Sequence, residues 1–304
     1  MRLRRRWLVS WLLLAAVTCA TPRGAPPPPA ASAGRTPSAL LRIDFVDVGQ
    51  GDGALVTGPT GKRVLIDGGP REAGPTLAAL LRAQHAAQID LVLLTHRHED
   101  HLGGIAEVAR AVPVRLFMDA PFEHRSQVYE QLLETLQERH VIVRAATTGR
   151  TIDVGGGATL TMLGPPEPPI RRSRSDVNAN SVVARLDYGA VGVLFAADAE
   201  PQTERWLLAS GARLPAQILK VAHHGGRYSS TAPFLSAVAP AIAVISVGEP
   251  NEYGHPTPEA LARLEQAHAH IYRTDRDGTV TIETDGARLT ITTARGKREI
   301  LPVR

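Results

Sequence analysis

Residues 89–104 have the sequence IDLVLLTHRHEDHLGG, and this stretch decides the fold. Its apolar first part indicates a strand buried on both faces. Three imidazoles and one carboxylate follow within six residues: His96, His98, Asp100 and His101. Imidazole and carboxylate are ligands that suit Zn²⁺, Mn²⁺ or Fe²⁺ in a site with an open position. The segment therefore predicts a strand that ends in a metal site, and a merely solvated polar turn is disfavoured.

The spacing within this segment predicts how its ligands divide. His96 and His98 are two residues apart, so on an extended chain their side chains point to the same side. Asp100 and His101 come after the chain turns. We therefore expect them to face a second metal ion.

The composition is that of a globular protein of one large domain or two modest ones. The chain has 304 residues, of which 43% are hydrophobic and 21% charged. The formal net charge of +4 arises at the N-terminus, where the first forty residues contain six arginines and no acid. The remainder has 28 basic against 30 acidic residues. This excludes a basic field over the whole molecule and leaves only a local basic patch for contacts with nucleic acid.

Residues 1–20 predict an export signal. Arginines at residues 2–6 precede an apolar run of eleven residues, which is too short to span a bilayer. Cys19, the only cysteine in the chain, follows this run and resembles the lipidated cysteine of a bacterial lipoprotein. Cleavage after Ala20 is the alternative. Either signal predicts export to the periplasm or the cell exterior, with contact to a membrane only through a lipid anchor.

The remaining chain divides into a linker and a folded domain. Residues 21–39 are rich in Pro and Ala and predict an extended linker. Residues 40–304 contain two halves that are rich in short β-strands, each with amphipathic helices. They predict an α/β (α+β) fold, a four-layer αβ/βα sandwich of two packed sheets.

Several segments together resemble one known family. They are FVDVGQGDGALV (45–56), VLIDGG (64–69), LTHRHEDHLGGI (94–105), NANSVVARLDYGAVGVLFAADAE (178–200), LKVAHHGGRYSS (219–230) and NEYGHPTPEAL (251–261). They resemble the metallo-β-lactamase superfamily, whose signature is His-x-His-x-Asp-His, and in particular its ComEC-type branch. That branch is the hydrolase-like domain of DNA-uptake competence proteins. The resemblance runs over most of residues 40–284.

The resemblance implies a set of metal ligands. His96 and His98 would hold the first metal ion, and Asp100 and His101 the second. Asp198, at the end of an apolar strand, would bridge the two ions. Asp100 and Asp198 are therefore the expected catalytic residues.

Three further histidines compete for the last ligand position. His223 is taken as the ligand and its neighbour His224 as a support, although either of them fits the resemblance. His255 is a further candidate. Asp67 is expected to orient a ligand histidine or a metal-bound water from outside the ligand set.

The sequence departs from the family at the first metal. Many members have a third histidine there, whereas here only His124 and His140 lie between His101 and Asp198, and neither has a suitable context. The ComEC-type branch resembles this chain at Asn178, Asn180 and Ser181, whose oxygens are weak, hard ligands. A plain turn before a strand is an equal alternative for these residues. We expect two divalent ions, with Zn²⁺ favoured and Mn²⁺ the alternative.

The resemblance implies hydrolysis of a phosphodiester by metal-activated water, in the manner of a nuclease. Ser229, Ser230 and His255 are expected to line the cleft beside the metals. A run of three arginines precedes Asp176 and is a candidate for contacts with a phosphate backbone, although a solvated basic loop is the more common case: Arg171, Arg172 and Arg174. The expected substrate is a small-molecule or nucleic-acid phosphodiester, and no protein partner is inferred.

Two other functions stay open at this point. One is hydrolysis of another small ester or amide, such as a β-lactam, a lactone or a phosphocholine ester. The other is a binding module that retains the fold without catalysis. The intact ligand set disfavours the binding module, and metal content separates it from both hydrolases.

Overall fold

A computed structural model describes residues 40–303. The predicted signal at residues 1–20, with Cys19, and the predicted linker at 21–39 lie outside the described residues and stay predictions. Within residues 40–303, no helix is both long and apolar enough to cross a membrane.

The first half of the described chain alternates strands and helices. Its strands are β1 (Leu41–Phe45), β2 (Ala54–Thr57), β3 (Arg63–Ile66), β4 (Leu91–Leu94), β5 (Leu116–Asp119), β6 (Ile142–Ala145), β7 (Thr151–Gly155) and β8 (Ala158–Met162). Its helices are α1 (Gly74–Ala83), α2 (Glu99–Leu102), α3 (Ile105–Ala111) and α4 (Gln127–Glu138). Helix α4 begins where Ser126 Oγ accepts a hydrogen bond from the backbone N–H of Tyr129, as expected of an N-cap serine.

The second half of the described chain also alternates strands and helices, and its last three elements are strands. Its strands are β9 (Ala184–Tyr188), β10 (Val191–Phe195), β11 (Ile218–Lys220), β12 (Ile242–Ile245), β13 (His270–Arg273), β14 (Val280–Thr284), β15 (Arg288–Thr293) and β16 (Arg298–Pro302). Its helices are α5 (Asp176–Ala179), α6 (Pro201–Ala209), α7 (Ala232–Val238), α8 (Pro258–Gln266) and α9 (Thr274–Asp277). Proline lies in the first turn of α6, α7 and α8, where its missing N–H costs no helical hydrogen bond.

The strands form two sheets that differ in the order of their pairing. One has nine strands in the order β16-β15-β14-β1-β2-β3-β4-β5-β6, and the other has seven in the order β13-β12-β11-β10-β9-β8-β7. Strands β3 to β6 run parallel to one another, and so do β10 to β13. Their carboxyl ends therefore lie along one edge of each sheet, where ligands bind in such folds.

Three apolar clusters show how the layers stack. The largest lies between the two sheets and includes Ile43, Leu93 and Phe195. A second packs α1, α3 and α4 on the outer face of the nine-stranded sheet, and a third packs α6, α7 and α8 on the other sheet. The predicted four-layer sandwich is confirmed, because each sheet buries one face against the other sheet and one against helices.

Candidate metal centre

Loops that follow strands β4, β10 and β11 bring the candidate ligands together. His96, His98, Asp100 and His101 follow β4; Asp198 follows β10; His223 and His224 follow β11. Strand β4 belongs to the nine-stranded sheet, whereas β10 and β11 belong to the other. The site therefore lies where the edges of the two sheets meet, and each sheet supplies part of it.

Four side chains from these loops converge, and ligand atoms of three of them are unpaired. His101 Nε2 lies 3.4 Å from Asp198 Oδ1 and 3.7 Å from Asp100 Oδ2. His224 Nε2 lies 3.2 Å from Asp100 Oδ2 and 3.7 Å from Asp198 Oδ1. Among the described residues, no hydrogen-bond partner reaches His101 Nε2, His224 Nε2 or Asp198 Oδ1, although all three atoms are buried. Buried polar atoms are rarely left unpaired, so this set fits a metal ion.

The second half of the cluster adjoins the first through Asp198. His96 Nε2 lies 3.1 Å from His98 Nδ1 and 3.8 Å from Asp198 Oδ2. The ring centroids of His96 and His101 are 4.1 Å apart. The two oxygens of Asp198 thus face different histidines, which is the arrangement that a bridging carboxylate requires.

Asp67 and a carbonyl hold two of these imidazoles in place. Asp67 Oδ2 lies 2.8 Å from His101 Nδ1, and both its oxygens accept hydrogen bonds from Thr95. His224 Nδ1 lies 2.9 Å from the carbonyl oxygen of Ser246. Since that oxygen can only accept, Nδ1 of His224 donates the hydrogen bond, and Nε2 is the nitrogen that is left to face the cluster.

The turn at residues 49–53 packs directly against the metal-binding segment. A Cβ atom at Gly51 would lie 2.2 Å from the carbonyl oxygen of Asp100, and the φ of this glycine is +146°. The same carbonyl accepts a hydrogen bond of 3.0 Å from the backbone N–H of Asp52. Only glycine allows this approach, which brings the Asp52 side chain into the site.

Asp52 and Lys220 form a buried ion pair that the sequence reasoning missed. Lys220 Nζ lies 2.6 Å from Asp52 Oδ2 and donates a hydrogen bond of 2.8 Å to the carbonyl oxygen of Val221. Asp52 Oδ1 in turn lies 3.3 Å from His224 Nδ1. The signal was a lysine inside the apolar strand β11, since lysine is almost never buried without a partner.

Replacing Lys220 by methionine is expected to lower the free energy of unfolding by about 3–5 kcal/mol, because the buried charge of Asp52 would lose its lysine partner. Lys62→Met is the matched control. Its pair with Asp153 has the same type of contact, at 2.7 Å, but lies on the surface. Urea unfolding of the metal-free protein, followed by circular dichroism, compares the two. Equal losses in both variants would contradict the buried role of Lys220.

The cluster concentrates negative charge around its imidazoles. Burial opposes protonation of His224, but the carboxylates of Asp198 and Asp52 outweigh it and raise its pKa to about 10. In His101, burial is likewise outweighed by Asp198 and Asp100, which raise the pKa well above its usual value. The field that draws protons onto these rings would equally favour a divalent cation in the same space.

The two adjacent histidines differ sharply in their surroundings. His224 is 1% exposed and belongs to the converging set described above. The side chain of His223 is 31% exposed, and its Nε2 lies 3.7 Å from Asp198 Oδ2 and 3.5 Å from Asn178 Nδ2. The geometry thus favours His224 over His223 as a ligand, which reverses the order expected from the sequence. His255 lies further out, with ring centroids 5.6 Å from His223 and 6.2 Å from His224.

Of the three polar residues at 178–181, one faces the site. Asn178 lies in α5, and its buried Oδ1 has no hydrogen-bond partner in the described part of the chain. Asn180 instead bonds the backbone of Ile170 and Asp176, so its amide serves the loop. Ser181 is fully buried, and its Oγ is unpaired within residues 40–303.

One histidine that the sequence reasoning set aside lies near the first metal position. The ring of His124 is 5.6 Å from that of His98, edge to face. His124 lies in the segment between β5 and α4, where the sequence has no helical or strand periodicity from which the direction of a side chain could be predicted. His140, by contrast, is exposed after α4.

The expected hydroxyls are buried rather than free in the cleft. Ser229 Oγ donates a hydrogen bond of 2.8 Å to the carbonyl oxygen of Ala199. Ser230 is fully buried, with a φ of +53°. Both serines therefore shape the loop after β11. Ser229 still borders a cavity beside the cluster, as expected, whereas Ser230 does not.

A cavity of about 560 Å³ opens over the cluster and reaches His98, Asp100, Asp198 and His224. A second cavity of about 450 Å³ adjoins it and is bordered by Arg174. Arg171 and Arg172 are exposed on the same loop. The metal centre is thus open to solvent beside a local group of basic residues.

The sequence model of the metallo-beta-lactamase superfamily matches residues 46–249, which include the whole cluster except His255. This chain belongs to the metallo-β-lactamase superfamily. Members of the superfamily usually have hydrolytic activity that depends on metal ions. The fold by itself does not define a substrate.

Curated relatives within the superfamily include competence proteins. The chain is 28% identical to ComE operon protein 3 of Bacillus subtilis over 78% of its own length and 32% of the relative's. It is 30% identical to competence protein ComA of Neisseria gonorrhoeae over 76% of its own length and 30% of the relative's. The chain thus spans about a third of the length of these relatives. These matches confirm the predicted resemblance to ComEC-type proteins.

Solved structures support the fold. YhfI of Bacillus subtilis, a metallo-beta-lactamase fold protein, matches 80% of this chain and all of its own, with a TM-score of 0.55 and 15% identity. CmlA of Streptomyces venezuelae, a diiron beta-hydroxylase, matches 86% of this chain and 54% of its own, with a TM-score of 0.52 and 15% identity. At these identities the likeness concerns the fold alone.

Proposed function

We propose that the protein is a metal-dependent phosphodiesterase. The observation that carries this proposal is the convergence of three buried, unpaired ligand atoms: His101 Nε2, His224 Nε2 and Asp198 Oδ1. Leaving such atoms unpaired costs free energy in the absence of a ligand, and together they form a cation site.

We assign the ligands by the contacts. His96, His98 and Asp198 would hold one divalent ion, and Asp100, His101, His224 and Asp198 the other. Zn²⁺ fits the imidazole-rich set, and Mn²⁺ is the alternative that carboxylates favour. Bound cations supply Lewis acidity, which acidifies water and offsets negative charge on a phosphoryl oxygen.

Hydrogen bonds and an ion pair within the protein hold the candidate ligands in position. Asp67 and the Ser246 carbonyl fix the rings of His101 and His224 so that each Nε2 faces the cluster. Lys220 balances part of the carboxylate charge from inside the fold. These contacts hold the ligands before any ion or substrate arrives.

A phosphodiester fits the surroundings better than a neutral ester or amide. The cavity over the cluster is open, and Arg174 borders the adjoining cavity. Arg171 and Arg172 are exposed on the same loop as Arg174. Relatives named for competence, together with recombination protein 2 of Haemophilus influenzae, concern processes that handle DNA. DNA is therefore the proposed natural class of substrate.

The test combines metal content with hydrolysis of bis(4-nitrophenyl) phosphate, single-stranded DNA and a chromogenic cephalosporin. We expect about two equivalents of metal and hydrolysis of the first two substrates. His98→Ala should abolish hydrolysis, whereas His140→Ala, which removes an exposed histidine after α4, should not. Hydrolysis of the cephalosporin alone would replace the phosphodiesterase by another hydrolase. Failure to bind Zn²⁺ or Mn²⁺ would leave a binding module.

A further inference from the structure

Two tyrosines stand out by their exposure beside the metal centre. Tyr253 is 69% exposed and Tyr228 is 48% exposed. Within residues 40–303, every other Phe, Tyr or Trp ring is buried or half-buried. Both tyrosines line the same cavity of about 450 Å³, a size typical of ligand pockets.

This cavity continues into the one over the metal cluster. His223, Tyr253 and His255 line both. A molecule whose reacting group lay at the cluster could therefore extend into the neighbouring cavity without crossing a wall of the protein.

The two tyrosines have different neighbours. The guanidinium carbon of Arg174 lies 3.9 Å from the ring centroid of Tyr228, so that this ring holds the arginine over the cavity. Tyr253 is backed by the ring of His255, with centroids 5.9 Å apart and planes inclined by 27°. The ring of Tyr253 thus has a supported orientation and a large free surface.

Arg174 is the cation of this cavity that forms no direct ion pair. Arg227 also borders the cavity, but it pairs with Glu259 at 2.7 Å. Among the described residues, Arg174 forms no salt bridge, although its charge acts on the Glu200 carboxylate that borders the same cavity. Its stacking on Tyr228 uses the face of the guanidinium, whose N–H groups point outward in its plane toward an anion.

Hydrogen bonds with side chains of α6 and α8 hold the loop that carries Tyr228. Glu204, buried in α6, accepts hydrogen bonds from the backbone N–H groups of Ser230 and Thr231. Arg263, from α8, donates to the carbonyl oxygens of Ser229 and Ser230. The side of the cavity that carries Tyr228 is therefore held in place by the protein itself.

We propose that this cavity binds the nucleotide next to the scissile phosphodiester, with its base stacked on Tyr253 and a neighbouring phosphate on Arg174. This inference rests on the proposed phosphodiesterase function and deepens it by naming the substrate as single-stranded nucleic acid. An exposed aromatic ring beside a cation is the pairing that binds bases and backbone of a single strand. In a duplex, neighbouring bases cover the faces that Tyr253 would contact.

The test measures binding of oligonucleotides to the full chain without metal, so that no cleavage occurs during the measurement. Two probes separate base stacking on Tyr253 from phosphate binding by Arg174. The probes are a fluorescent single-stranded oligothymidylate and an abasic oligomer of the same length, followed by anisotropy. Tyr253→Ala should weaken binding of the oligothymidylate about tenfold and leave the abasic oligomer unchanged, while Tyr253→Phe should bind as the natural chain does. Arg174→Gln should weaken both oligomers and lower the slope of log affinity against log salt by about 0.7. Ile300→Ala, an exposed apolar side chain on β16, is the matched control and should change neither.

Equal effects of Tyr253→Ala on both oligomers, or no effect on either, would overturn base stacking. Failure of the natural chain to bind the oligothymidylate would overturn the subsite as a whole. Hydrolysis of bis(4-nitrophenyl) phosphate is measured separately on the metal-loaded chain. Its absence, with the pattern of oligomer binding intact, would reject the phosphodiesterase and leave the subsite supported.

Discussion

Replacing Asp198 by asparagine is expected to remove metal from both halves of the centre and to lower phosphodiesterase activity at least about a hundredfold. Loss of partners outside the ligand set already costs roughly 10- to 100-fold in metal sites, and a shared ligand should cost more. Oδ1 of Asp198 faces His101 and His224, whereas Oδ2 faces His96. Asparagine keeps the shape but loses the charge and one acceptor oxygen.

Metal analysis and thermal unfolding with and without Zn²⁺ check this expectation. The natural chain should gain stability on addition of Zn²⁺, because the ion binds the folded state, and the variant should gain little. Asp153→Asn makes the same chemical change at an exposed surface pair and should behave as the natural chain does. Two equivalents of metal in the Asp198 variant would show that this carboxylate does not bridge.

The adjacent histidines give the second large effect. His224→Ala is expected to lose one equivalent of metal and at least about a hundredfold in activity, because its buried Nε2 faces Asp100 and Asp198. His223→Ala should retain both equivalents, since the His223 side chain is 31% exposed. The two variants remove the same side chain from neighbouring positions, so each is the control for the other.

Metal content of the two variants decides the assignment before any activity is measured. Loss of metal in His223→Ala with full loading of His224→Ala would restore the order expected from the sequence. Loss in both would mean that the 3₁₀ turn at Ala222–Gly225 supplies two ligands.

The local part of the site was predictable because its ligands are close together in the chain. Four ligand-type residues in six positions after a buried apolar strand leave few alternatives to a metal site. The supporting role of Asp67 was also predictable, because a carboxylate that directly follows a strand lies at the same edge of the sheet as the histidines after β4. The layers of the fold followed from strands and amphipathic helices that alternate along both halves.

Other features depend on backbone conformation, which periodicity does not describe. His223 and His224 both have positive φ values, +50° and +53°, so a sequence pattern cannot tell which of them turns inward. Asn178 and Asn180 are a second pair that lies close together in the chain. Asn178 faces the cavity, whereas Asn180 forms a hydrogen bond with the backbone of Ile170.

The sequence by itself determined that the chain forms a layered α/β domain with a histidine-rich metal segment at a strand end. Only the tertiary structure decided which distant groups complete the site. Asp52 and Lys220 are 168 residues apart and come from different sheets, so their contact exists only once the sheets pack. The same packing places Tyr253 and Arg174 on one cavity. Such contacts depend on how whole layers stack on one another, and the pattern along one strand does not specify that.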